Sequence, residues 1–498
     1  MSEQPIEVPD PDVSAENPIS ENWVWVGAHR PAIPRRFFDH MTKEWAPSGL
    51  GNDVNPVAPF TKLRRDTLAA NFPDTTLVIP TGNYKVRAND TNFRFRAGTD
   101  FFYLTGCHDP DVVLVITHHN DSVNSVLYVA ERRDHTTHEY FTDAHYGELW
   151  VGPRRGVAES AIHFGIETRP LEQLATDLAT LPTSRHAVVR GFDAHVDSLL
   201  TPTNDDHQLI EQLSHMRLTK DEFEVTQLQA AIDHTTKAFE DVVRALPEAI
   251  GRGERVIEGV FNLRARLEGN DVGYETIAAS GSHATVLHWV RNDGVVQSGD
   301  MLLLDAGVEC DYLYTADVTR TMPIGGKFSA TQRRIYELVL KAQRAGIAAV
   351  KPGAKFSEPH EAAMRVIAEG LFELGILDVE PDVALRRDMQ LHRRYTLHGT
   401  SHMLGLDVHD CANARNEAYT GELLPGYVLT VEPGIYFQPN DLTVPEEFRG
   451  IGVRIEDDVL VTATGNVVLS AALPTDPDEI ERWMASVQSR GTTNLGLS

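Results

Sequence analysis

Two aspartates at the edges of apolar, β-prone runs are the residues of this chain best placed for chemistry. Asp305 ends the apolar run 302–304, and twelve residues later Asp317 precedes the β-prone run 318–321. Two strands joined by a turn would put these carboxylates side by side, because paired strands lie about 5 Å apart. Buried carboxylates require a cation or another partner. By themselves the two residues fit either a metal site or a solvated hairpin with aspartates beside its turn.

Two glutamates occur in the same kind of context farther along the chain. Glu432 ends one apolar run, and Glu456 lies within another predicted strand, where period-two alternation places Arg454 on the same face. With Asp305 and Asp317 they make four carboxylates that interrupt apolar segments. Four such groups buried together repel one another strongly unless cations bind between them.

Three histidines, His398, His402 and His409, fall within twelve residues. A lone histidine is more often a hydrogen-bonded core residue than a ligand, so each could also be structural. One imidazole with four carboxylates suits hard divalent ions, with Mn²⁺ expected and Co²⁺, Zn²⁺ or Fe²⁺ as alternatives. Two ions about 3.5–4 Å apart activate water and stabilise a tetrahedral intermediate, which is the chemistry of a hydrolase.

Charge and cysteine content restrict the partners and the compartment. The 498-residue chain has a formal net charge of −27, which argues against nucleic acid or an anionic membrane as a partner. The chain contains no apolar run of the roughly 18 residues that a membrane span needs, and the first residues do not resemble a signal peptide. Cys107, Cys310 and Cys411 are too few for a disulfide framework. We therefore expect a cytoplasmic protein.

The elements that position these residues divide the chain into two domains. We expect a disordered segment over 1–29, an α/β domain over 30–214, an α+β domain over 215–488 and a frayed tail over 489–498. The α/β domain is predicted from buried strands. These are expected at 76–80, 111–117, 125–130 and 187–190, with a further core strand and turn at 103–106.

The second domain mixes helices with antiparallel strands. Capping-box spacing predicts one helix start at Thr219 with Glu222 and another at Ser329 with Gln332. Further helices are expected over 256–267, 358–374 and 478–487, and strands over 276–279, 301–305, 428–432, 452–456 and 459–461.

Together the motifs resemble the "pita-bread" metallopeptidases, which include methionine aminopeptidase, prolidase and aminopeptidase P. The resemblance to aminopeptidase P is carried by His-Gly-Thr-Ser-His at 398–402, Thr-Val-Glu-Pro-Gly at 430–434 and Gly-Val-Arg-Ile-Glu-Asp-Asp at 452–458. Residues 89–106 resemble the non-catalytic domain of that family, and the similarity extends from about residue 30 to 484. It implies a pita-bread catalytic domain behind a smaller creatinase-like α/β domain.

The resemblance also implies a ligand set for two metal ions. Asp305 would bind one ion, His402 and Glu432 the other, and Asp317 and Glu456 would bridge both. Creatinase shares the fold but lacks these ligands, so their presence here favours a working metal site.

Catalytic and substrate-binding roles follow from the same resemblance. His288 would approach the substrate, and His398 and His409 would polarise the scissile carbonyl and help protonate the departing nitrogen. Glu432 would also move protons. Arg454 and Tyr436 would contact the substrate or support the ligands.

The implied activity is release of the first residue from peptides with proline second, by an enzyme acting as a homodimer or homotetramer. Prolidase, the dipeptidase of the same fold, is the alternative. It holds the carboxylate of its substrate with a basic residue, for which Arg415 would be the candidate here. A metal-free scaffold protein is the remaining alternative.

The chain departs from the family in two places: Asp305 and Asp317 are one residue farther apart than usual, and Ala316 replaces a glycine.

Overall fold

The computed structural model describes residues 23–24, 33–46, 50–51, 53–120, 122–181, 185–414 and 419–491. Contacts along the chain define two compact units, Met1–Leu209 and Ile210–Ser498. The sequence predicts the division at 214. The predicted disordered segment 1–29 and tail 489–498 lie mostly outside the described residues, as does Arg415. No described helix combines the length and apolar character needed to cross a membrane.

The first unit is built on a five-stranded mixed sheet. In spatial order its strands are Glu167–Pro170, Ser122–Val129, Val113–His119, Thr75–Pro80 and Arg185–Val188. The three central strands pair antiparallel, and each edge strand pairs parallel with its neighbour. All four predicted strands form. The helices of this unit are Arg35–Met41, Ala58–Ala70, Thr99–Thr105, Glu139–Thr142, Glu148–Val151, Val157–Phe164, Leu174–Ala179, Ala194–Leu199 and, at the boundary, Asn204–Met216.

The predicted strand at 103–106 is wrong. Those residues belong to the helix Thr99–Thr105, which ends at Gly106 with φ of 67°. The N–H of Gly106 donates to the carbonyl of Phe102, the usual closure of a helix by a left-handed glycine. Residues 101–105 are buried all round, and a short apolar run of this kind has no periodicity that separates helix from strand.

Five longer helices surround the strands of the second unit. They are Glu222–Ala249, Glu254–Glu268, Ala330–Ala349, Glu358–Glu373 and Pro477–Ser489. The predicted capping box of Ser329 with Gln332 is confirmed. The first box is displaced by two residues, because Asp221 caps the helix and pairs with Glu224 instead.

Short antiparallel sheets form the remainder of this unit, so the predicted α+β class is confirmed. One has the strand order Ile277–Ser280, Met301–Ala306, Val318–Pro323, and another the order Val428–Val431, Asp457–Val461, Asn466–Val468. Two-stranded ladders join Gly434–Tyr436 to Gly452–Arg454 and Asp271–Val272 to Val308–Glu309.

Glu456 does not lie within a strand, contrary to the prediction. The strand Gly452–Arg454 ends two residues earlier, and Asp457–Val461 then pairs with a different partner. At this change of partner the N–H of Glu456 donates to the carbonyl of Thr319 over 3.1 Å. The side chain is thereby placed beside the strand that follows Asp317.

Candidate active site

A cavity of about 600 Å³ in the second unit collects the predicted site residues. Nine of the ten line it: His288, Asp305, Asp317, His398, His402, His409, Glu432, Arg454 and Glu456. Tyr436, the tenth, is buried directly behind the wall. Residues that are up to 168 positions apart in the chain (456 − 288) are therefore neighbours in the fold.

Asp305 and Asp317 lie side by side, as the hairpin prediction requires. The strands Met301–Ala306 and Val318–Pro323 pair antiparallel, with Asp305 opposite Thr319. The hydroxyl of Tyr274 lies 2.6 Å from Asp305 Oδ1 and 2.5 Å from Asp317 Oδ1. Its single proton can be donated to only one of the two carboxylates at a time.

The connection between the two aspartates closes through a tight turn. Leu313 adopts φ of 61°, and its N–H donates to the carbonyl of Cys310 over 2.8 Å. The N–H of Ala316 returns to the carbonyl of Val308 over 3.2 Å, which restores the pairing before Asp317. The long spacing is accommodated in this turn while both carboxylates still face the cavity.

His402 approaches two of the carboxylates. Its Nε2 lies 3.2 Å from Asp317 Oδ2 and 3.6 Å from Glu432 Oε1. Burial opposes the charged imidazole, but the hydrogen bond and charge of Asp317 prevail and raise the pKa of His402 to about 9. Donor atoms of Asp317, His402 and Glu456 all lie within 4.8 Å of one another, a spacing that a single metal ion can span.

The two glutamates complete the cluster. Burial, with the charge of Asp317 as a further cause, raises the pKa of Glu432 to about 7. Burial also raises the pKa of Glu456 well above its ordinary value, and the neighbouring carboxylates add to the effect. Both shifts express a shortage of positive charge around buried carboxylates. Divalent cations supply that charge, so the donor set fits a metal centre.

Arg454 and Tyr436 link the cluster to His398. The guanidinium pairs with Asp305 through Nη2, and Nη1 donates to the Tyr436 hydroxyl over 2.9 Å. The hydroxyl then donates to His398 Nε2 over 2.7 Å, and His398 Nδ1 lies 2.7 Å from the carbonyl of Gly399. Burial, aided by the charge of Arg454, lowers the pKa of His398 to about 3. His398 is therefore a neutral imidazole with both nitrogens engaged inside the protein.

His288 and His409 are the exposed histidines of the cavity wall. The His409 ring lies 4.4 Å from that of His402, measured between centroids. Burial of part of the ring and the charge of His402 lower the pKa of His409. These two side chains are more exposed than that of His398 and face open space in which a substrate could contact them.

Three residues of the site are absent from the sequence prediction: Tyr274, Thr319 and Asp458. Thr319 donates to Glu456 Oε2 over 2.7 Å, and Asp458 Oδ2 accepts from the N–H of Asp317 over 3.1 Å. Asp458 belongs to the acidic triplet 456–458, and Thr319 lies two positions after Asp317 on the same strand face, so both carried a signal. Tyr274 belongs to no motif and carried none.

Comparisons with known proteins match both units. A sequence profile described as Metallopeptidase family M24 covers residues 226–463, and one described as Aminopeptidase P, N-terminal domain, covers residues 61–189. A Streptomyces coelicolor protein named Xaa-Pro aminopeptidase 1 is 51% identical over 489 residues, which are 97% of this chain and 98% of the relative.

Solved structures agree with these matches. The Pseudomonas aeruginosa aminopeptidase PepP superimposes with a TM-score of 0.79 at 32% identity, covering 88% of this chain and 100% of that one. A zinc-substituted Escherichia coli aminopeptidase P in complex with product gives 0.77 at 30% identity, covering 87% of this chain and 99% of that one.

Proposed function

Because this chain belongs to the Xaa-Pro aminopeptidases of metallopeptidase family M24, we propose that it releases the first residue from peptides with proline in second position. The observation that carries the proposal is the meeting of four carboxylates and one imidazole in a single cavity, with Asp305, Asp317 and Glu456 buried and Glu432 half-buried. That arrangement is suited to hydrolysis with metal ions and has little other physical use.

Five residues would hold two divalent ions: Asp305, Asp317, His402, Glu432 and Glu456. Donor atoms of Asp317, His402 and Glu456 lie within 4.8 Å of one another and could share one ion. The family resemblance would make Asp317 and Glu456 ligands of both ions. When bound, the ions supply a Lewis acid for the scissile carbonyl and lower the pKa of a water molecule. The oxygen-rich set favours Mn²⁺, and the zinc-substituted relative supports a site that accepts more than one metal.

Glu432 would accept and return the proton of the attacking water. Its carboxylate lies at the end of the strand Val428–Val431, where its N–H donates to the carbonyl of Thr400 over 2.8 Å. In the protein without metal, burial raises the pKa of this carboxyl to about 7, and a bound cation would lower it again. This anchored position keeps the Glu432 side chain at the edge of the cavity.

His288 and His409 would contact the substrate around the scissile bond. A prolyl nitrogen leaves poorly until it is protonated, and these imidazoles face the open cavity. The engaged nitrogens of His398 favour a different role for this residue, which is to hold Tyr436 and the wall beside Glu432 in place. His398→Ala should therefore reduce turnover while the metal content stays unchanged.

The apolar part of the wall is the expected contact for non-polar substrate groups. Ile277, Leu287, Val290 and Val408 contribute it. A pyrrolidine ring is compact and apolar, so it is stabilised against such a surface. The carboxylates of the same cavity would attract a free α-amine, which makes cleavage start at the N-terminus.

The test is a comparison of peptides on the Mn²⁺-loaded enzyme. We expect release of the first residue from Xaa-Pro-led tripeptides and longer peptides, far slower cleavage with alanine second, and none when the N-terminus is blocked. Efficient cleavage of alanine-second peptides would contradict the assignment. Restriction to dipeptides would favour prolidase, and Arg415→Ala is then the variant to examine.

Metal analysis of the purified protein addresses the scaffold alternative. We expect two divalent ions for each chain. A protein that binds none at micromolar metal would favour the metal-free scaffold alternative.

The three cysteines are buried and free, which supports our proposal of a reducing, cytoplasmic location. A homodimer or homotetramer stays a prediction, and light scattering of the full chain measures it.

A further inference from the structure

Glu254 is a completely buried carboxylate outside the metal cluster. It is the first residue of the helix Glu254–Glu268, behind Gly253 with φ of 113°. The proposed reaction gives this side chain no role. Burying a carboxylate reduces the free energy of unfolding unless the group is fully hydrogen-bonded. The hydrogen-bond partners of Glu254 therefore indicate its role.

Four donors from one segment of the chain surround Glu254. Oε1 accepts from the N–H of Ser280 over 2.8 Å and from His283 Nδ1 over 2.9 Å. Oε2 accepts from Trp289 Nε1 and from the N–H of Gly294, each over 2.7 Å. Both ends and the middle of the segment 280–294 are therefore bonded to a single side chain.

The same segment carries part of the cavity wall. Leu287, His288 and Val290 line the cavity, whereas Trp289 between them is buried and turned toward Glu254. The Trp289 ring stacks on His283 with centroids 3.8 Å apart. Fixing the indole thus fixes the direction in which its neighbours, His288 first among them, face the cavity.

Local geometry leaves this segment little freedom. Asn292 adopts φ of 46°, and its side chain bonds the N–H of Ala278 and the carbonyl of Thr276 over 2.9 and 2.8 Å. A Cβ on Gly294 would lie 2.4 Å from the His283 ring and 2.7 Å from Glu254 Oε2. The close approach of backbone to carboxylate therefore requires glycine at 294.

We propose that Glu254 is a positioning residue that sets the orientation of His288 through Trp289. The inference rests on the proposed function, since it gives His288 a substrate to meet. Glu254→Gln keeps the shape of the side chain but places an amide NH₂ where an oxygen accepted two hydrogen bonds. If the amide NH₂ faces Ser280 and His283, the N–H of Ser280 loses its acceptor. If it faces Trp289 and Gly294, the indole N–H and the N–H of Gly294 lose theirs.

The experiment combines kinetics with hydrogen–deuterium exchange on the full chain. We expect Glu254→Gln to lower kcat/KM on an Xaa-Pro tripeptide about 10- to 100-fold with unchanged metal content, because small misplacements of reacting groups have effects of this size. In the metal-free protein, exchange should accelerate in residues 281–294 and not in 403–411. Glu258→Gln, which removes the same charge one turn later on the same helix, should behave as wild type.

A double-variant cycle separates positioning from general loosening. If Glu254 acts through His288, Glu254→Gln should cause almost no further loss of kcat/KM in the His288→Ala background. In the His409→Ala background it should lower kcat/KM by the same factor as in wild type. Should Glu254→Gln fail to fold, Trp289→Phe removes a single donor and is expected to show the same non-additivity with a smaller loss. Full multiplication with His288→Ala, or unchanged exchange in 281–294, would overturn the proposal. A wild-type enzyme inactive on Xaa-Pro peptides would refute the proposed function, and the exchange data would still decide whether Glu254 holds the segment.

Discussion

Three consecutive acidic residues, Glu456, Asp457 and Asp458, are all buried but have opposite surroundings. Asp457 accepts hydrogen bonds of 2.6 Å from Arg320 Nη2, Gln343 Nε2 and Ser470 Oγ. Glu456 and Asp458 face other carboxylates instead. Burial first, and the charge of the carboxylate at position 317 second, raises the pKa of each well above its ordinary value.

These surroundings distinguish two kinds of buried acid. A carboxylate surrounded by N–H and O–H donors stabilises the fold, and removing it leaves those donors unpaired. A carboxylate that faces other carboxylates destabilises the metal-free fold and gains its partner only when a cation binds. Glu254 is of the first kind, and Glu432 of the second.

The largest expected effect is on the metal-facing member of the triplet. Glu456→Gln should lose metal and lower turnover by about 10³-fold or more, since a bound metal contributes several kcal/mol to the transition state. The metal-free variant should be at least as stable as metal-free wild type, because glutamine is neutral without binding a proton in a site that disfavours the carboxylate charge. Elemental analysis, initial rates and chemical unfolding measure the three quantities. Full metal occupancy with normal turnover would contradict the assignment.

Asp457→Ala should have the opposite profile. Deleting one partner of the buried pair with Arg320 is expected to reduce the free energy of unfolding by about 3–5 kcal/mol. Arg320 Nη1 also donates to the backbone carbonyls of Thr319 and Glu456, so metal affinity should fall only as far as the local fold loosens. Urea unfolding of the metal-free protein measures this free energy. A loss below 1 kcal/mol would contradict the assignment of Asp457 as a fold-stabilising carboxylate.

The pH dependence of the metal-free protein provides an intermediate effect. The folded-state pKa of Glu432 is raised from 4.5 to about 7, and that of His402 from 6.5 to about 9. Each group binds its proton more tightly when folded, so its contribution is complete below the ordinary pKa and is lost as pH rises through the raised one. The stabilisation contributed by each group should therefore fall by about 3 kcal/mol between pH 5 and 9.

Metal binding should reverse that trend, because the ligands must give up their protons. The increase in melting temperature caused by Mn²⁺ is expected to grow over the same pH range. Thermal scans of metal-free and loaded protein at matched pH measure both. If the metal-free protein became more stable toward pH 9, the shifts assigned to Glu432 and His402 would be wrong.

Removing one hydrogen-bond donor to Asp457 should have the smallest effect on stability. Ser470→Ala removes the hydroxyl that donates to Asp457 Oδ1 and that accepts from the N–H of Asp458. We expect a loss of about 1–3 kcal/mol in the free energy of unfolding, as for other hydrogen bonds to buried charged groups. Turnover at saturating metal should be unchanged, and a large fall in turnover would mean that Asp457 also supports catalysis.

The metal-facing acids were predictable because each interrupts or ends an apolar run, where a charge is conspicuous in the sequence. Asp305, Asp317 and Glu432 were found in this way, the cluster at 398–409 supplied three histidines, and the family resemblance added His288. Period-two reasoning also placed Arg454 near Glu456, although the strand ends between them. Its pairing with Asp305 could not be predicted, since it joins positions 149 residues apart.

Local ambiguity explains the failures among the elements. Thr219 and Asp221 both cap helices well, and each has a glutamate three residues later, so spacing alone could not choose between them. In the structure Asp221 is the cap: its side chain accepts from the N–H of Glu224 over 3.0 Å, and the Glu224 carboxylate accepts from the N–H of Asp221 over 3.1 Å. Tyr274 and Glu254 show the other limit, since their partners are assembled only by the tertiary structure.

The guanidinium of Arg454 has a consequence for how this sequence can change over evolutionary time. It bonds Asp305, Tyr436 and Thr319, acceptors that belong to three different strands. A lysine at 454 would have one compact ammonium group and could donate hydrogen bonds to only some of these three acceptors. Each accepted replacement at 454 would need simultaneous changes at several positions, and single-step mutation rarely supplies these. We therefore expect position 454 to tolerate fewer single substitutions than a position whose side chain makes no such set of hydrogen bonds.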